Sequence, residues 1–219
     1  MKPSTFLFLI LSFVETGSAM AAGVTYSGSD TDGSLVQANL AFQQFEQNAG
    51  LLSVIDFEAF TPGRYFSSIS QNGVDIIPSG VGGNFDIIAG AAAGAFPISG
   101  NQFIANNTNT DEITFDFHNS VSAFGFYATD QENEVVTVNF TDGSELNFNL
   151  PALGANGSDA FFGYVSDSAS IASVKVSDNG LFVGYDDFYY STVVPIPAAV
   201  WLFGSGLGLL GWFRRKQIA

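Results

Sequence analysis

From Leu51 onward the chain is written in short runs of alternating apolar and polar residues, separated by glycine, asparagine and aspartate. Successive side chains on a strand point to opposite faces, so a run of this kind buries one face and wets the other. Ile113-Phe115-Phe117 and Val136-Val138-Phe140 have this pattern, and Asp142-Gly143 after the second of them is a hairpin signal. The runs are Ser53–Phe57, Gly73–Ile77, Asn84–Ile88, Asp111–Phe117, Val121–Thr129, Glu134–Thr141 and Glu145–Leu150, then Ala160–Val165, Ile171–Ser177 and Leu181–Tyr190. About ten short strands with hardly a second helix predict an all-β fold, an antiparallel β-sandwich.

One stretch obeys a different period. Leu35, Ala38, Phe42, Phe45 and Ala49 recur every three or four residues and predict an N-terminal helix over Ser34–Ala49. Thr31, Asp32 and Ser34 are candidate caps, and Gly50 ends the helix. Its apolar face is expected on the sheet or across one end of it. A lipid-binding helix would carry Lys or Arg on its polar face, and this one has neither. Asp30-Thr31-Asp32-Gly33-Ser34 resembles the start of a calcium loop, but Ala41 stands where an EF-hand needs Glu, so a helix cap is the better reading.

Composition excludes several function classes. With Cys 0 there are no disulfides, thiolate metal sites or cysteine nucleophiles, and the single His118 rules out a histidine cluster. Between residues 22 and 194 two cations (Arg64 and Lys175) face twenty acids, a net of −18. Such a body repels nucleic acid and attracts divalent cations.

The 219 residues suit one domain flanked by processing segments. Lys2, the apolar run Phe6–Val14 and the small residues Ala19 and Ala21 form a signal peptide over 1–21. This implies the Sec export machinery and signal peptidase. Residues 22–50 are the helical N-terminal segment, 51–192 the sandwich and 193–219 a second address. In that address Ile196–Phe213 carries no charge over 18 residues, about 27 Å as a helix and enough to cross a hydrocarbon core. The basic stop Arg214-Arg215-Lys216 belongs in the cytoplasm, which leaves the body in the periplasm with the inner membrane as an intermediate tether.

The tail from Val194-Pro195-Ile196-Pro197-Ala198 through the Gly-rich span to Arg214, Arg215 and Lys216 resembles the PEP-CTERM sorting signal in its VPLPA-like variant. The resemblance implies recognition by an exosortase, cleavage near Pro195–Ala198, and arrival at the outer surface or in an exopolysaccharide or biofilm matrix. The body is similar, in strand rhythm, to the jelly-roll-like bodies of such proteins and to carbohydrate-binding sandwiches. The segments that carry this are Ile55–Glu58, Val121–Tyr127, Phe161–Asp178 and Gly184–Tyr190. They imply a jelly-roll or galactose-binding-like fold.

Two constellations in the body bear chemistry. Asp56 and Glu58, two apart, would share one face of a strand, and Asp186-Asp187 interrupt an apolar final strand. If the first and last strands lie together, the four carboxylates are candidate ligands for Ca²⁺. Tyr127, Tyr185 and Tyr189 are candidate sugar-stacking platforms, with Tyr185, Asp187 and Tyr189 on one face by simple alternation. Asp130, Glu132 and Glu134 form an acidic edge, expected as a solvated loop. For catalysis, His118 sits in a turn-like Phe117–Ser120 context without a nucleophile motif. The expectation is a non-catalytic structural or adhesive protein of the matrix. A lectin-like module, Ca²⁺-dependent or not, and a small polysaccharide-active hydrolase are the alternatives.

Overall fold

The computed structural model describes residues 23–80, 82–106, 111–154, 156–167, 170–178 and 182–192. Both addresses, with Ala19, Ala21, Val194–Ala198 and Arg214–Lys216, lie outside the described residues. Among those described, the chain forms an antiparallel β-sandwich with one helix. The elements are β1 (Gly23–Asp30), α1 (Val36–Ala49), β2 (Leu52–Ile55), β3 (Gly63–Tyr65), β4 (Ile69–Gln71), β5 (Val74–Gly80) and β6 (Phe85–Ala89). They continue as β7 (Gln102–Asn106), β8 (Asp111–Thr129), β9 (Glu134–Phe140), β10 (Glu145–Leu150), β11 (Asp159–Ser166), β12 (Ile171–Asp178) and β13 (Val183–Thr192).

The strand β8 organises the rest. Its first part, through Phe117, pairs with β5 on one side and β12 on the other. Its second part, from Val121, pairs with β11 and β13. One layer therefore runs β4–β5–β8–β12–β9–β10 and the other β1–β11–β8–β13. The first residues of β13 carry β7, β6 and β3, and its last carry β2. The sequence suggested two strands broken by a turn at His118-Asn119-Ser120, whereas the backbone continues as a single strand of 19 residues. The His118 N–H is paired with the Gly73 carbonyl at 2.9 Å, so this stretch is held in the ladder despite its turn-like composition.

The layers meet through aromatic rings. Phe115 of β8 stacks on Phe188 of β13 at 3.8 Å between ring centres, and Phe148 of β10 meets Phe162 of β11 at 5.2 Å. Alternation along β8 sends Phe124, Phe126 and Ala128 into this core. The intervening Ala123 and Tyr127 go into a second core under α1, with Phe161. That part of β8 is buried on both faces, which explains why Val121–Thr129 is almost wholly apolar while Asp111–Phe117 alternates.

Helix α1 docks on β1 and β11 through Ala38, Ala41, Phe45 and Ala49. Its start differs from the expected capping. Leu35 stands before the first turn with φ of 58° and offers no side-chain acceptor. Instead, Asp30 at the end of β1 accepts from the Gln37 and Ala38 N–H groups at 2.7 and 3.3 Å, and Asp159 of β11 accepts from Leu35 N–H at 3.2 Å. Asp32 closes only a local turn with Ser34. Gly50 ends the helix at φ of 83°, as the sequence indicates.

The approach of helix to sheet depends on missing side chains. A Cβ on Gly28 would lie 2.2 Å from the Gln37 carbonyl oxygen, and one on Gly163 would lie 2.7 Å from the Phe45 ring. Backbone cannot yield as a flexible side chain would, so Gly28→Ala must push α1 off β1. A loss of roughly 2 kcal/mol is expected, read as a lower urea midpoint with an unchanged m-value.

Candidate functional site

Three of the carboxylates singled out by the sequence, Glu58, Asp186 and Asp187, converge on one loop, the segment from Phe96 to Gln102 that leads into β7. Asp186 Oδ2 accepts from the Ile98 and Ser99 N–H groups at 2.7 and 3.1 Å, and its Oδ1 accepts from Asp187 N–H at 2.7 Å. The Ser99 hydroxyl donates to Asp187 Oδ1 at 2.6 Å, and the Tyr189 hydroxyl donates to Oδ2 at 3.3 Å. Glu58 Oε1 accepts from Asn101 and Gln102 N–H at 2.7 and 2.6 Å. Thr129 Oγ1 closes the other end, accepting from Phe96 N–H at 3.2 Å and donating to its carbonyl at 3.1 Å. The residues at the entry to β7 thus have their amides satisfied by acids from β13 and from the segment after β2.

Local backbone geometry makes this possible. β13 slips register against β8 between Asp186 and Tyr189, and Asp187 takes φ of 46°, the signature of a β-bulge. The extra residue breaks the expected alternation. Tyr185, Phe188 and Tyr190 all enter the main core, while Tyr189 turns toward α1. Asp56 and Glu58 also depart from expectation. β2 ends at Ile55, Phe57 takes φ of 60°, and Asp56 Oδ1 accepts from Glu58 N–H at 3.3 Å. The pair lies in a turn, and not on one face of a strand.

Electrostatics follow from this crowding. Burial, with the adjacent Asp187 charge, pushes the Asp186 carboxyl up to about 7 despite its three backbone donors. Burial also raises Asp187, and the charges of Asp56 and Glu58 add to the effect. The four acids therefore sense one another, but their identified contacts are to backbone amides and hydroxyls. Among the described residues no group of three or more Asp, Glu or His side chains could hold a metal ion. Asp56, Glu58, Asp186 and Asp187 do not form such a group.

The tyrosines expected to stack on sugar are spent on packing. Tyr127 is buried against Phe161 and donates to Asn39 Oδ1 at 2.8 Å. Tyr185 is buried edge-on to Phe126. Tyr189 is half-buried, its ring 4.6 Å from that of Phe42. Phe66, in contrast, is 70% exposed. The acidic edge is also drawn inward. Asp130 and Glu134 are buried, and Glu134 Oε1 accepts from Glu132 N–H at 2.8 Å. His118 Nε2 lies 3.1 Å from Asp75 Oδ1 on the exterior of the sandwich.

A separate cleft of about 500 Å³ lies at the side of the sandwich, between β1 and β10, with β11 as its floor. Thr25, Ser27, Gln131, Asn147 and Phe148 are among its lining residues. Nothing local in the residues marks it, because β1 is rich in serine and glycine and is held as a strand by β11 and α1.

Neither a protein-family model nor a curated protein matches this sequence. Among solved structures, the K2 cleaved adhesin domain of Lys-gingipain is similar at 12% identity and a TM-score of 0.46, over 64% of this chain and 98% of that one. A family 29 carbohydrate-binding module complexed with mannohexaose is similar at 10% identity and 0.40, over 64% and 90%. A family 6 carbohydrate-binding module gives 16% identity and 0.35, over 64% and 92%.

The buried acids make stability depend on pH. Asp186, at about 7, and Asp159, raised by burial to about 6, both lie above the ordinary 3.8 in the folded chain. The folded state holds these protons more tightly, so the stability they contribute is full below about pH 4 and is lost as pH rises through about 6 to 7. Urea midpoints should fall over that window, by up to about 1.4 kcal/mol per pH unit for each site. Asp186→Asn should flatten the fall. An identical pH profile in the variant would contradict the assignment.

Proposed function

We propose that this chain is an exported envelope protein, sorted by an exosortase, whose β-sandwich serves a non-catalytic structural or adhesive role in an exopolysaccharide matrix. The supporting observation is that the described strands all lie between the two addresses, from Gly23 of β1 to Thr192 of β13. Removal of 1–21 and cleavage near Pro195–Ala198 would leave every described strand pairing intact, including that of β13, which lies between β8 and the β2 and β7 strands. A processing site inside β13 would instead destroy the core that Phe188 and Tyr190 fill.

The non-catalytic reading draws on the carboxylates as well. Glu58, Asp186 and Asp187 are engaged in holding a loop, an arrangement that favours rigidity over proton transfer to a substrate. Twenty acids against two cations give the body an anionic surface. Ca²⁺ would bridge that surface to anionic polymer diffusely, without a dedicated cage.

The test is to follow the full chain in a Gram-negative host with and without its exosortase. Intact-mass measurement should show loss of the tail near Pro195–Ala198 only when the enzyme is present, with the body at the cell surface. Pro197→Leu should leave the tail attached and the body at the inner membrane. Intact chain in the cytosol, or identical processing without the exosortase, would contradict the reading.

A further inference from the structure

The cleft between β1 and β10 has a chemistry unlike the rest of the body. Two cations and twenty acids lie between residues 22 and 194, yet none of the described residues lining the cleft carries an ionisable side chain. One wall is a ladder of hydroxyls. Tyr26 packs edge-on against Phe45 of α1, and the Cβ direction of Gly28 meets Gln37, so residues 26 and 28 face the helix. By strand alternation Thr25, Ser27 and Ser29 face the other way, toward the space between the layers, and all three are exposed. Neighbouring strands fill that space with Phe124, Phe126 and Phe162, whereas this edge strand leaves it open and polar.

The remaining walls complement the ladder. Phe148 of β10, half-buried against Phe162 and Tyr164, supplies an apolar ring, and Leu150 and Ala160 extend the apolar floor. Asn147 and Asn149 alternate with Phe148 and Leu150 along β10 and point to its outer face, where Asn147 accepts from the Thr137 hydroxyl and donates to Glu145. Gln131 is fixed at one end, its Nε2 donating to the Pro151 carbonyl at 2.7 Å. Hydroxyls and the Gln131 amide beside an aromatic ring match a ligand with polar edges and an apolar C–H face.

We propose that this cleft binds a short stretch of uncharged saccharide. Its volume suits about two sugar units. An anionic sugar would find no cation in the lining to offset the field of the acidic body, and a purely apolar ligand would strand three hydroxyls. This goes beyond the sorting reading and does not rest on it, since the cleft belongs to the folded body wherever the body is delivered.

Calorimetric titration of the purified chain tests it, using neutral gluco-, manno- and galacto-configured tetrasaccharides and an oligouronate of equal length. At least one neutral sugar should bind with Kd on the order of 0.1 mM, and the uronate at least tenfold more weakly. Ser27→Tyr, at an exposed position where an aromatic suits a strand, should fill the cleft and weaken binding about tenfold without lowering the melting temperature. Thr25→Asp should weaken it comparably by adding a carboxylate. The proposal is overturned if no neutral sugar binds below about 10 mM, if the uronate binds as well, or if both variants bind like the parent.

Discussion

Both layers of the sandwich are built on β8, so the fold depends on that strand staying paired through its whole length. Before His118 its partners are β5 and β12, and after Val121 they are β11 and β13. Because one strand serves both sheets, the rings on its inner face face each other across the core, with Phe115, Phe124 and Phe126 all near Phe188. Its outer face then offers Ala123 and Tyr127 to α1. The helix, the two cores and the position of β13 all follow from that one path.

The acidic composition acquires a structural meaning within this frame. A body with so few cations cannot place most of its carboxylates in ion pairs, and several of them, buried or not, engage backbone N–H groups instead. Asp30 and Asp159 hold the start of α1, while Glu58 and Asp186 hold the loop before β7. Each carboxylate offers several lone pairs, so one side chain can serve two amides at once. The cost is proton affinity raised by burial, greatest where Asp186 and Asp187 adjoin.

The sequence makes the sandwich legible where one face is wet. Ile113-Phe115-Phe117 and Val136-Val138-Phe140 alternate because their strands have solvent on one side, and Asp142-Gly143 marks the β9–β10 hairpin that forms. It is silent where structure is imposed from a distance. β1 has little apolar content and is stabilised by β11 and α1, while β7 is buried throughout and lacks alternation. A bulge adds a single residue, so nothing local in Gly184–Tyr190 reveals that Tyr185 and Phe188 will share a core. Glu58 comes beside Asp186 and Asp187 because β2 pairs with β13. Their partner, the loop from Phe96 to Gln102, is not legible in the sequence, since backbone amides leave no mark in composition. The hydroxyl-lined cleft was hidden for the same reason as β1.

The acids beside β13 staple the loop that leads into β7. Amide hydrogen exchange at Ile98, Ser99, Asn101 and Gln102 measures this most directly. Protection on the order of a thousandfold at Ile98, Ser99 and Asn101, which lie outside any strand, lost at Ile98 and Ser99 in Asp186→Ala, is the predicted result. Exchange at unprotected rates in the parent chain would show that these carboxylates are free for another task and would contradict the account.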